Sequence, residues 1–239
     1  MASAPDPFVD QLIDDLCGAD PERQYRAWEK AVDVLRATPE RIAGGLCEVV
    51  DSFLGSELHR ARAGPTLFVL ANHTAGRPDL VPLETLERWL GAPQRLDAMG
   101  LLSALTMLSR LRPDLIAGPY YRLALEATLA HPVPSAELWS NVGRDQPDIV
   151  LEIAEVVFEQ ADWDTPLAAA MVSILKRLGA ARPDQIDALV AVVQAAAHRE
   201  PPPEPGTIRL RTSNLSSPDQ VIAELHALRD PAPRPPEHS

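Results

Sequence analysis

Aromatic residues are scarce in this chain, at 5% of 239 positions, and there are only two cysteines, Cys17 and Cys47. No disulfide framework or cysteine-based metal site can be built from so few thiols. Both fall on the apolar faces of predicted helices, so two buried free thiols in a reducing compartment are expected. Basic charge is also short: 22 Lys and Arg stand against 34 Asp and Glu, a net charge of −12. A binder of phosphate backbones needs a basic face, so nucleic acid is not an expected partner, and an anionic membrane surface is disfavoured on the same ground. No uncharged run of about 18 apolar residues exists to span a bilayer. The opening Met-Ala-Ser-Ala-Pro-Asp has neither a basic nor an apolar region of the signal-peptide kind. The expected location is the cytoplasm. Catalytic signatures are missing too. The six histidines are scattered, with no pair at i, i+4 around a glutamate. No glycine-rich phosphate loop, nucleophile elbow or cysteine-pair motif occurs. Asn72-His73-Thr74 reads as a polar helix end. The chain therefore reads as a non-enzyme without a cofactor.

What the sequence does have is a repeated phrase. It stands at Pro78-Asp79-Leu80-Val81, Pro113-Asp114-Leu115-Ile116, Pro147-Asp148-Ile149-Val150, Pro183-Asp184-Gln185-Ile186 and Pro218-Asp219-Gln220-Val221, with a looser copy at Pro39-Glu40-Arg41-Ile42. The prolines are spaced 39, 35, 34, 36 and 35 residues apart, a period typical of repeat architectures. Proline is tolerated at a helix's first position, where its missing N–H would be unpaired. An acid at the next position faces the positive end of the helix dipole. The residue before proline is pushed out of the helical region, so the preceding helix ends there. Each phrase is thus predicted to be a junction at which one helix stops and another starts. Counted from the proline, apolar residues recur at +3, at +6 or +7, and at +10.

A short helix is expected from Phe8 to Gly18, followed by a helix from Pro21 whose apolar face carries Tyr25, Trp28, Val32 and Leu35. Gly44-Gly45 marks either a close helix contact or a kink. Gly55 to Gly64, with His59, Arg60 and Arg62, reads as a basic connector before a helix starting at Pro65. Pro119 predicts a kink in the second helix of the third unit. Thr165-Pro166 is a cap-and-proline helix start. Helical pairs thus fill residues 20–198, after an N-terminal capping helix over 1–19. Residues 199–217 read as a proline-rich linker with an extended basic arm at Ile208-Arg209-Leu210-Arg211. A C-terminal helix is expected over 218–229 and a disordered tail over 230–239.

Paired helices at this period, with proline opening the second helix, resemble HEAT or armadillo-like repeats. Tetratricopeptide repeats close their second helix with proline and carry a Trp/Leu-Gly/Tyr pattern that this chain lacks. Ankyrin repeats need a Thr-Pro-Leu-His phrase. The resemblance implies an all-α fold, a right-handed α-solenoid of about five stacked helix pairs with capping helices at both ends. It implies a scaffold, adaptor or inhibitor rather than an enzyme, although some bacterial relatives are bilin lyases or lyase-like chaperones. The Ala/Arg/Pro bias also resembles that of proteins from GC-rich bacteria.

Second helices in such solenoids line the concave face. The residues there outside the buried stripe are Glu48, Asp51, Glu84, Glu87, Glu152, Glu155, Glu159 and Asp187, with Tyr121, Arg122 and Glu126 in the third unit. They compose a candidate acidic ridge for a basic protein segment; the competing reading is a solvated face. Tyr121 is expected to point outward. Trp163, in an acidic loop, is a further candidate anchor, while Trp28 and Trp89 are assigned to the core. A scaffold binding a basic partner is the leading expectation. An inhibitor or immunity protein for a basic toxin or enzyme is the second, and a bilin lyase-like chaperone loading a chromophore is the third.

Overall fold

Each junction phrase puts one side chain in the same place. The residue three after the proline is buried in all six copies: Ile42, Val81, Ile116, Val150, Ile186 and Val221 are each 1% exposed or less. The residue before the proline is also alike in five of the six copies, Ser217 before Pro218 differing at φ −60°, ψ 156°. Thr38, Arg77, Arg112, Gln146 and Arg182 have φ between −148° and −133° and ψ between 65° and 74°. The proline ring excludes the α region there, so the preceding helix stops and the chain turns.

These junctions belong to a computed structural model that describes residues 6–131, 135–160, 163, 165–199 and 217–229. The described residues form thirteen α-helices joined by 3-10 turns, with no strand among them. They are α1 (Pro7–Cys17), α2 (Pro21–Ala37), α3 (Ala43–Gly55), α4 (Ala63–His73), α5 (Leu83–Leu90), α6 (Ala98–Leu111), α7 (Pro113–Ala117), α8 (Tyr121–Ala130), α9 (Ala136–Asp145), α10 (Pro147–Gln160), α11 (Pro166–Ala181), α12 (Ile186–Arg199) and α13 (Pro218–Ala227). No helix of the described residues is long and apolar enough to cross a membrane. The linker and arm at 200–216 and the tail at 230–239 lie outside the described residues.

The chain divides into two units, one reaching to Ile116 and the other beginning at Ala117. In the first, α2 packs on α4 and α4 on α6, while α1 packs on α3. Helices consecutive in sequence also touch: α1 with α2, α3 with α4, α5 with α6. In the second, α9 packs on α11 and α11 on α13, while α10 packs on α12. Neighbours in each row are thus one sequence period apart. Arginines bridge that period. Arg110 on α6 donates to the Ala71 carbonyl of α4, and Arg182 donates to the Arg144 carbonyl of α9 at 3.1 Å. Each guanidinium meets a carbonyl left over at the end of the preceding helix, where positive charge is favoured.

Several expected starts are displaced. Pro39, Pro78 and Pro183 open short 3-10 turns instead of α-helices. After Pro78 the chain even straightens at Val81 (φ −105°, ψ 111°), because Pro82 follows it, and α5 begins only at Leu83. The expected helix start at Pro65 falls at Ala63, with Pro65 inside the first turn, where its missing N–H costs nothing. The kink expected at Pro119 is a full break between α7 and α8. The Thr165 cap is present, its hydroxyl accepting from Ala168 N–H at 3.2 Å.

Three of the acids after the prolines do more than face the helix dipole. In three copies the sequence is Arg-Pro-Asp, and the carboxylate grips the arginine two residues earlier with both oxygens. The pairs are Arg77–Asp79 at 3.1 Å, Arg112–Asp114 at 2.7–2.8 Å and Arg182–Asp184 at 2.9–3.0 Å. The forks close the turn across the proline. The arginine side-chain hydrogen bond holds Asp184 at about 2, below its ordinary 3.8, with Gln185 assisting.

Two glycines explain how closely helices approach. A Cβ at Gly45 would overlap the tip of Ile13, so α1 sits directly on α3 there, whereas Gly44 faces open space. The glycine pair marks a helix contact. Gly64 of α4 faces Gly100 of α6, and a Cβ at Gly64 would collide with the Asp97 carboxylate that caps α6 through Gly100 N–H at 2.7 Å.

Candidate functional site

The candidate acids fall into two physical groups, those held at seams between helices and those presented to solvent. Asp51 is the clearest of the first group. It is half-buried. One oxygen accepts from the indole N–H of buried Trp89 at 2.7 Å, and the other pairs with Arg88 at 2.5 Å. A buried indole N–H needs an acceptor, and Asp51 supplies it from α3 to α5. Asp51 is therefore a structural residue and is removed from the binding set. The 38-residue separation of Asp51 and Trp89 equals one period, which was the available signal. Its charge acts locally: burial first, then Asp51, pushes the Cys47 thiol up to about 12. Cys17, expected to be buried, is half-buried.

Three other candidates are paired while exposed. Asp187 meets Arg229, just after α13. Arg122 binds Glu126 four residues on at 2.8 Å. Trp163 is not an outward anchor: it is 9% exposed and its ring stacks on Phe158 with centroids 5.4 Å apart. Two large apolar rings leave water together, which an acidic flanking sequence does not reveal.

The remaining acids face solvent. In the first unit Glu48 on α3 and Glu84 and Glu87 on α5 are exposed. In the second unit Glu152, Glu155 and Glu159 are exposed and follow one another at steps of three and four along α10, which places them on one helix face. The opposite side of α10 is buried through Ile153, Ala154 and Val157, each 0% exposed.

Tyr121 is half-buried beside this stripe. Its ring meets Trp139 edge to face, with centroids 6.3 Å apart and planes at 70°. Trp139 is itself 0% exposed, with its indole N–H donating to Thr128 Oγ1 at 2.7 Å. The phenol is thus anchored at its base by the core, and its hydroxyl lies in the field of the Glu152 carboxylate. Partial burial, then the Glu152 charge and hydrogen bond, raise the Tyr121 pKa above its ordinary value. The expectation that Tyr121 points wholly outward becomes a narrower one: its ring is seated and its hydroxyl reaches the acidic stripe.

The expected core face of α2 is rotated. The buried line is Ala27, Ala31 and Leu35, while Trp28 is half-buried and Tyr25 is 63% exposed. Small alanines allow α2 to lie close to its neighbours, which leaves the two aromatics at the edge. The helical spacing of Tyr25, Trp28, Val32 and Leu35 predicts the two aromatics inside. Among the described residues no group of His, Cys, Asp and Glu is arranged to hold a metal ion.

Compared with known proteins, the chain matches no family model, no curated protein and no solved structure.

Proposed function

We propose that this all-helical protein is a cytoplasmic binding scaffold that takes a basic protein segment along the exposed face of α10. On this reading the helix pairs form a HEAT or armadillo-like right-handed solenoid of about five pairs, with α10 among the helices lining its concave side. The observation that carries the reading is the stripe Glu152–Glu155–Glu159, with the half-buried Tyr121 beside its first member. Three carboxylates at helical spacing span about 10 Å and match the spacing of cations on an extended or helical partner. An aromatic ring held by the core adds a contact whose ordering entropy is already spent, the kind of residue that anchors interfaces. Complementary charge steers the encounter and sets its salt dependence.

Capture of partners from the native host on immobilised protein tests this. A basic partner is expected, released by raised salt because exposed charges are screened, and lost when Glu152, Glu155 and Glu159 are changed together to lysine. A partner held equally at low and high salt, or by the triple variant, contradicts the reading.

A further inference from the structure

The first unit holds an open apolar trough of about 400 Å³ between α2, α3 and α4, within the size range of ligand pockets. Leu16, Trp28, Phe53 and Pro65 line it, with Tyr25 and Arg62 at its rim. The chemistry of that rim is opposite to that of the chain as a whole. The 3-10 turn Arg60–Arg62 borders the trough, and neither of its arginines makes an ion pair among the described residues. Arg62 is the one charged residue among those that line the trough. Two acids of α1 and α2 are already paired, Glu22 with Arg26 and Asp15 with Arg23 at 2.9 Å, and Glu29 stands beside the Tyr25 hydroxyl. The turn also carries unmet hydrogen-bonding capacity. Arg60 Nε and His59 Nδ1 are shielded from water with no partner among the described residues, and the His59 ring leans on Phe53, 6.2 Å between centroids.

We infer that this trough docks a peptide segment of another protein that presents a large apolar side chain next to carboxylates. The apolar side chain fills the space over Trp28 and Phe53. The carboxylates meet Arg62, the trough's one charged lining residue, through charge-assisted hydrogen bonds. The trough's openness, with Tyr25 63% exposed, favours a segment lying across it over an enclosed small molecule. Tyrosine, tryptophan and arginine are the residue types that dominate such contacts. This site does not depend on the α10 stripe, and its preference is for the opposite charge.

Selection of a phage-displayed random peptide library on the full-length protein tests the inference. Enriched peptides are expected to pair a large apolar residue with acids. Their binding should fall at least about tenfold with Arg62→Glu and with Tyr25→Ser, as for loss of an interface anchor, and stay unchanged with Glu155→Lys. Both substituted rim residues are exposed, and far-ultraviolet circular dichroism confirms that the variants fold. Enrichment of basic or uncharged peptides, no enrichment, or acidic peptides that bind both rim variants normally overturns it. So does a concentration-dependent dimer that Tyr25→Ser dissolves, since the trough would then hold a second copy of this chain.

Discussion

The two units share the junction phrase but differ in what accompanies their exposed acids. In the second, α10 runs unbroken from Pro147 to Gln160 and shows three glutamates on one face. In the first, Asp51 is turned inward to serve Trp89 and Arg88, and beside the exposed Glu48, Glu84 and Glu87 lies an apolar trough with Arg62 at its rim. A net charge of −12 describes neither face. Where an acid sits relative to the next repeat decides whether it is structure or surface. Asp51 lies one period before a tryptophan that needs an acceptor, whereas Glu155 has no such neighbour.

Substitutions can break this comparison in order of size. The largest effect is expected from Trp139→Ala, which empties a fully buried site and removes the seat of Tyr121. The loss should be about 3–5 kcal/mol, read from denaturant unfolding of the full chain, together with loss of partner capture. Asp51→Ala comes next. It leaves the Trp89 indole N–H unpaired, at a cost of about 1–3 kcal/mol, and partner capture should be unchanged. Glu155→Lys should do the reverse, keeping stability within about 0.5 kcal/mol while weakening capture. If Asp51→Ala and Glu155→Lys behave alike, the division into seam and surface acids is wrong.

The smallest effect concerns the Arg-Pro-Asp forks. Asp184 is held at about 2 by Arg182, below its ordinary 3.8. Its folded-state value is depressed, so the fork's contribution is full above 3.8 and fades as pH falls through 2. Carboxyl-carbon NMR titration should find the Asp184 carboxyl returning toward 3.8 in Arg182→Ala. A midpoint unchanged by that substitution would assign the shift to something other than the fork.

Much of the helical order was legible because proline chemistry is local. The residue before each proline, the apolar residue three after it and the Thr165 cap follow from backbone sterics and hydrogen bonding within a few positions. The exact starts were less legible, since Pro82 acts on Val81 from outside the phrase and Gly44-Gly45 needed the position of Ile13 to be interpreted. The candidate site was harder still. The stripe on α10 could be read from spacing alone. That Trp163 stacks on Phe158, that Asp51 is claimed by Trp89, and that Tyr25 and Trp28 sit at an edge depend on which helices meet. Ala27 and Ala31 carried a hint of the last: a line of small residues permits closer packing than the aromatic line beside it.

Photo-crosslinking in cells of the native host tests the central claim most directly, with a benzophenone amino acid placed at position 155 of the full chain. The account predicts an adduct with a basic protein, lost when Glu152 and Glu159 are changed to lysine. An adduct with an acidic or neutral protein, or one that persists after those changes, would contradict it.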